Sequence, residues 1–122
     1  MTWSIIARDK TTGQIGIAVA TKFFAVGARV PHIAAGIGGI ATQALVNPYY
    51  GIDGVKLLRE GRLPADIIAA LIAADAGRES RQLHIIDAQG RIAAHTGREC
   101  VDWCGSSEGR RLFHRRQHVG RR

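Results

Sequence analysis

"TWSIIARDKTTGQIGIAVATK", residues 2–22, decides the fold. Its second half sets Ile15, Ile17, Val19 and Thr21 at alternate positions with small residues between them, the period-two pattern of a strand with one buried face. Thr2–Arg8 reads as a strand of the same kind. The intervening Asp9-Lys10-Thr11-Thr12-Gly13 is a tight turn ending in glycine, where a positive φ is often required. The stretch is therefore a β-hairpin of Thr2–Arg8 with Gln14–Lys22, and its register determines what stands beside Thr2. If Asp9 pairs with Gln14, Thr2 faces Thr21; a bulged turn pairing Lys10 with Gln14 makes Thr2 face Lys22. Directly opposed side chains on one face lie about 5 Å apart, within reach of a lysine ammonium.

Beyond the hairpin, Phe23–Pro31 reads as a loop. HIAAGIGGIATQAL (His32–Leu45) then gives two short glycine-rich strands meeting near Gly36–Gly39. Glycines at that density let backbones or sheets approach closely; neither G-x-G-x-x-G nor a P-loop lysine is present to suggest a phosphate cradle. Two helices follow. In Gly51–Glu60, Ile52, Val55 and Leu58 recur at every third position, with Gly61 placed as a C-terminal cap. The second has Pro64 in its first turn, sets Ile67, Ile68, Leu71 and Ile72 on one face, and ends near Asp75. Arg81–Asp87 and Arg91–Thr96 flank the turn Ala88-Gln89-Gly90 as another hairpin. The order β-β-β-β-α-α-β-β with hairpin connections points to an α+β fold with antiparallel sheets, compatible with two sheets between helix layers. Such a sandwich needs more helix after the last hairpin, where the chain has almost run out.

The 122 residues suit a single domain, and 46% apolar residues with 15 glycines suit a globular one. The net charge of +7 is unevenly spread. The tail 109–122 holds six arginines (Arg110, Arg111, Arg115, Arg116, Arg121, Arg122) and no acid, which leaves 17 − 6 = 11 basic residues against 10 acids in 1–108. The body is electrically ordinary, so a nucleic-acid partner is disfavoured. Cys100 and Cys104 are two potential ligands where zinc needs about four, and His114 and His118 fall in the tail. No metal and no cofactor is expected, and the cysteines are expected to be reduced thiols. No signal peptide is evident and no apolar run reaches the roughly 20 residues of a membrane helix, so a cytoplasmic protein without a membrane partner is expected.

The chemistry centres on Thr2. If Met1 is removed, Thr2 carries a free α-amine, with an ordinary pKa of about 7.7–8.0, beside its own hydroxyl. That amine can take the hydroxyl proton while the oxygen attacks a carbonyl, and a neighbouring Lys22 ammonium would keep it neutral by like-charge repulsion. Thr2 and Lys22 are the candidate catalytic residues. Backbone amides at Gly38 and Gly39 are candidate oxyanion donors. Ser4 lies on the face of Thr2, where it can orient a substrate or fill a gap between sheets. Thr21, Gln43, Asn47 and Tyr49 complete the candidate substrate contacts, with capping and turn formation the ordinary role of Asn47. His84 and His95 read as packing or surface residues.

Three pieces of the chain, TWSIIARDKTTGQIGIAVATKFFAVGARVP, AGIGGIATQALVNPYYGIDGVKLLREG and RQLHIIDAQGRIAAHTGRECVDWCG, together resemble the bacterial family catalogued as domain of unknown function 1028, within the N-terminal-nucleophile hydrolase superfamily. The resemblance covers residues 2 to about 109 and rests on S-I-x-A-R-D, F-F-A-V-G, A-T-Q-A and D-x-x-G-R. It implies a four-layer αββα sandwich and, by analogy with the superfamily, hydrolysis of an amide bond in a small molecule or peptide. Thr2 falls where proteasome-type relatives place their threonine. The alternatives are a non-catalytic binding or assembly module and an inactive fragment.

The family normally continues with a pattern like G-x-x-F-x-x-x-G-N-x-L, whereas this chain has GRRLFHRRQHVGRR. One possible coding of that tail, read one base later, gives GDDFSIAGNMLAG, which matches the continuation. Residues 1–108 are accordingly expected to be the N-terminal part of the domain, with 109–122 a frameshifted, disordered tail. Unpaired sheet edges and uncovered apolar faces in such a piece lead to an expectation of homo-oligomerisation.

Overall fold

A computed structural model describes residues 1–109 and the backbone of 112–117. The opening hairpin forms as β1 (Thr2–Arg8) and β2 (Ile15–Thr21). Asp9 nucleates the turn: its Oδ1 accepts from the Thr11 and Thr12 amides at 2.8 and 2.7 Å, and Gly13 closes the turn at φ 74°. Asp9 N donates to Gln14 O at 2.8 Å, which selects the register Thr2↔Thr21 over the bulged alternative.

A four-residue helix α1 (Val26–Arg29) occupies the expected loop, entered through Ala25 in the left-handed region at φ 57°. Next come β3 (Pro31–Ala34) and β4 (Gly38–Ala44). Helix α2 (Pro48–Arg59) starts three residues before the expected Gly51, because Asn47 caps it and Pro48 fits its first turn. It ends in a Schellman motif, with Gly61 at φ 80° donating to Leu58 O and Arg62 N donating to Leu57 O. Then follow α3 (Pro64–Ala73), a 3-10 turn at Arg78–Ser80, β5 (Arg81–Asp87), β6 (Ile92–Thr96), β7 (Cys104–Glu108) and β8 (Leu112–Gln117).

The strands form two four-stranded sheets in the orders β2-β1-β8-β7 and β3-β4-β5-β6, antiparallel throughout. The fold is thus α+β with antiparallel sheets. Within the segment 109–122, expected to be disordered, β8 lies between β1 and β7, and residues 110, 111 and 118–122 lie outside the described residues.

Alternation along the strands builds the layers. Ile6 of β1, Ile15, Ile17 and Val19 of β2, Ala41 of β4 and Ile86 of β5 meet between the sheets, while Ile40, Leu83 and Ile85 point the other way, onto Tyr50, Leu58, Ile67 and Ile68 of the helices. The β4–β5 sheet is therefore covered on both faces, which is why β4 is almost wholly buried. A glycine makes one close approach possible. A Cβ at buried Gly97 would fall on the carbonyl groups of Arg78 and Glu79. These are backbone atoms that cannot swing aside, so Gly97→Ala should cost about 2–3 kcal/mol in chemical denaturation.

Candidate functional site

Thr2 begins β1 and shares the inward face with Ser4 and Ile6, so its side chain lies at the rim of the intersheet space. There it borders a cavity of about 720 Å³ that Thr21 and Lys22 also line. The Thr2 hydroxyl donates to Thr21 Oγ1 at 3.1 Å, and the Thr21 hydroxyl donates to the Met1 carbonyl at 2.6 Å. That carbonyl belongs to the peptide bond on the Thr2 nitrogen. The Thr21 hydroxyl is thus positioned at the atoms that Met1 removal would convert into the α-amine. Lys22 is not opposite Thr2 as the bulged register would have it; it follows Thr21 and reaches the same cavity from its exposed wall.

Beneath Thr2 runs a buried polar network. Ser4 Oγ lies 2.6 Å from Gln43 Oε1 and 2.9 Å from His84 Nε2. Gln43 Nε2 donates to Gln82 Oε1 at 2.6 Å and more weakly to Thr2 O at 3.5 Å; Gln82 Nε2 donates to Thr96 Oγ1 at 3.2 Å and Gly105 O at 3.4 Å. The two carbonyls fix the direction, because only an amide NH2 can face Thr2 O and Gly105 O. Ser4 then spends its proton on Gln43 Oε1, and His84 must carry its own on Nε2. Gln43, Gln82, His84 and Ser4 are buried, so Gln43 and Ser4 are internal braces of the strand that carries Thr2 and do not line the cavity.

The remaining candidates are dispersed. Gly38 and Gly39 sit at the other end of β4, roughly 13–17 Å along the strand from Gln43 at the usual rise per residue. A Cβ at Gly38 would come 2.5 Å from Ile86 O, and one at Gly39 would come 3.2 Å from Ile15 and Ile17. They allow close packing at the end away from Thr2 and offer no amides to it. Asn47 Oδ1 accepts from Tyr49 N at 3.1 Å as a helix cap, and Tyr49 projects to solvent at 66% exposure outside the cavity lining.

The sequence reading missed a second cluster, which braces the cavity wall. Asp75, at the end of α3, accepts from Gly77 N at 2.8 Å, Arg81 Nε at 3.0 Å and Asn47 Nδ2 at 3.2 Å. Arg81 Nη1 donates to Leu45 O at 2.7 Å, and Leu45 N donates to Ser80 O at 3.1 Å; both Leu45 and Ser80 line the cavity. Burial opposes ionisation of Asp75, but the hydrogen bonds from Arg81, Gly77 and Asn47 outweigh it and hold the carboxyl well below the usual carboxylate range. Burial pushes the Tyr50 phenol up, and the Asp75 carboxylate adds to the shift. With the Asp75 pKa depressed on folding, the unfolded chain binds the proton more tightly. The stabilisation is complete above the ordinary value near 3.8 and is lost as pH falls below it. Asp75→Asn should therefore cost about 2 kcal/mol at neutral pH in thermal melts, with the gap from the parent protein narrowing below pH 4.

Two alanines near the cavity, Ala25 at φ 57° and the lining residue Ala44 at φ 70°, hold left-handed backbone. Such conformations concentrate at functional sites, and because neither position is glycine no sequence signal marks them. Among the described residues, no group of three or more His, Cys, Asp or Glu could hold a metal ion, and no helix is long and apolar enough to cross a membrane. Neither Cys100 nor Cys104 forms a disulfide, and the Cys100 thiol donates to Arg81 O at 3.4 Å.

A family model described as a family of unknown function, DUF1028, matches residues 2–114. The crystal structure of protein SPO2555 from Silicibacter pomeroyi, titled with the same family model, is similar at 36% identity and a TM-score of 0.88, over 93% of this chain and 53% of that one. The chain spans about half the length of that solved relative. No curated protein matches it. Matched over most of its length and resembling a solved member closely, the chain belongs to the DUF1028 family of unknown function.

Proposed function

We propose that this protein is an N-terminal-nucleophile amidohydrolase, built on part of a four-layer αββα sandwich, in which Thr2 becomes the nucleophile once Met1 is removed. One observation carries the reading: the first inward-facing hydroxyl of β1 stands at a cavity, hydrogen-bonded to Thr21, whose own hydroxyl touches the peptide unit that would be cut. In the reaction Thr2 Oγ1 bonds to the amide carbonyl carbon while its proton passes to the α-amine. The C–N bond then breaks as that proton moves to the leaving nitrogen. Water cleaves the resulting ester and restores the threonine.

Thr21 positions the amine, and Lys22 supplies the cation beside it. The oxyanion donors are not Gly38 and Gly39, which stand too far along β4. The substrate is an amide of a small molecule or peptide, no metal or cofactor takes part, and two cysteines outside any disulfide accord with a cytoplasmic setting. Coverage of 53% of the solved relative supports reading the chain as the N-terminal part of a larger domain; self-association is the outcome expected of the sheet edges and apolar faces such a part leaves uncovered. The test is intact-mass determination of the N-terminus followed by turnover of an amide panel by the parent protein and Thr2→Ala. A mature chain that retains Met1 removes the mechanism.

A further inference from the structure

The cavity beside Thr2 is lopsided in its chemistry. Val26, Val30, Leu45 and Val101 present aliphatic surface to it, with Phe23 and Phe24 at its rim, 52% and 91% exposed. Two cations, Lys22 and Arg29, line it as well, and among the described residues neither enters an ion pair. Arg29 is held in place: its guanidinium lies 5.5 Å from the centroid of the Phe23 ring, a cation–π distance. The acid in the lining, Glu99, accepts a hydrogen bond from Ser80 Oγ at 2.7 Å. A neutral apolar ligand would leave both cations unanswered. A purely ionic ligand would leave the aliphatic wall wet.

We infer that the cavity takes an amphipathic amide: an apolar acyl group against the aliphatic wall, the carbonyl toward Thr2, and a carboxylate on the leaving side held by Arg29 and Lys22. This rests on the proposed function for taking the cavity as the substrate site, and it adds the substrate class. Arg29 is the specificity residue. It stands on α1 with Phe23 beneath it, so its guanidinium meets a carboxylate at little ordering cost.

The experiment uses Thr2→Ala protein freed of Met1, which binds without turnover, titrated calorimetrically with N-octanoylglycine and with its neutral methyl amide. The carboxylate probe should bind about tenfold more tightly. Arg29→Gln should reduce that preference to about twofold while leaving the affinity of the methyl amide unchanged, and Arg29→Lys should retain part of it. Equal affinities in the Thr2→Ala protein, binding of neither probe, or a preference that survives the added Arg29→Gln would overturn the assignment. The hydrolase reading is judged separately, by turnover of N-octanoylglycine by protein with Thr2 intact. Charge-dependent binding without turnover sinks the hydrolase and keeps the ligand class; turnover of the methyl amide with no charge preference does the opposite.

Discussion

Thr2→Ala, in protein freed of Met1, should lower amide turnover by about three orders of magnitude or more, the size of loss seen when a nucleophile is deleted. The fold should survive. Thr2 is half-buried, and its side chain contributes the hydrogen bond to Thr21 at 3.1 Å, worth about 1 kcal/mol, so the melting temperature should fall by only a few degrees. Loss of turnover with an intact melt separates the chemical role from a structural one. Thr2→Ser, which keeps both hydroxyl and amine, should restore part of the rate. Unchanged turnover in Thr2→Ala would assign the nucleophile elsewhere.

The largest structural effect is expected at Gln43, and it is large because nothing around the residue can replace what its amide does. Gln43→Leu keeps the approximate volume but leaves the Ser4 hydroxyl without its acceptor and Gln82 Oε1 without its donor, all in a region closed to solvent. Two orphaned groups at 1–3 kcal/mol each give a loss of about 3 kcal/mol, or roughly 12 °C in melting temperature for a domain of this size. Tyr49→Ala should move the melt by less than about 0.5 kcal/mol, since its ring is mostly in solvent. A Gln43→Leu melt as mild as that of Tyr49→Ala would show that the network does not hold the sheets together.

The hairpins, both long helices and the α+β class were legible because period-two and helical patterns are local properties of the chain. The register of the first hairpin stayed open between two choices, since it turns on whether Asp9 caps the loop, which a string of residues does not show. α1 escaped notice because it is a single turn entered through left-handed Ala25, with no glycine to announce it. β7 and β8 lack alternation: CGSSE carries no apolar face, and LFHRRQ reads as charge. At the site, Thr2 and its neighbours Thr21 and Lys22 followed from chain order, and the structure brings them to one cavity. Gly38 and Gly39 misled because density of glycine signals close approach without saying to what. Gln43 sits on the inward face of a strand buried on both sides, and Asp75 and Arg81 act on Asn47 and Leu45, which are distant in the chain. Such groupings arise only when the layers stack.

The one-way chain of donors from His84 through Ser4 and Gln43 to Gln82 has a mechanical meaning. Two greasy sheets can slide past each other by a residue pair at modest penalty, since one methyl resembles the next. A sequence of keyed polar teeth cannot, because a slip by one residue pair takes the Ser4 hydroxyl off Gln43 and sets it against Ala41 or Leu45, leaving buried polar groups unpaired. The network therefore works as an alignment pin between the layers, and whatever happens at the rim happens on a threonine whose height above the opposite sheet is set by that pin.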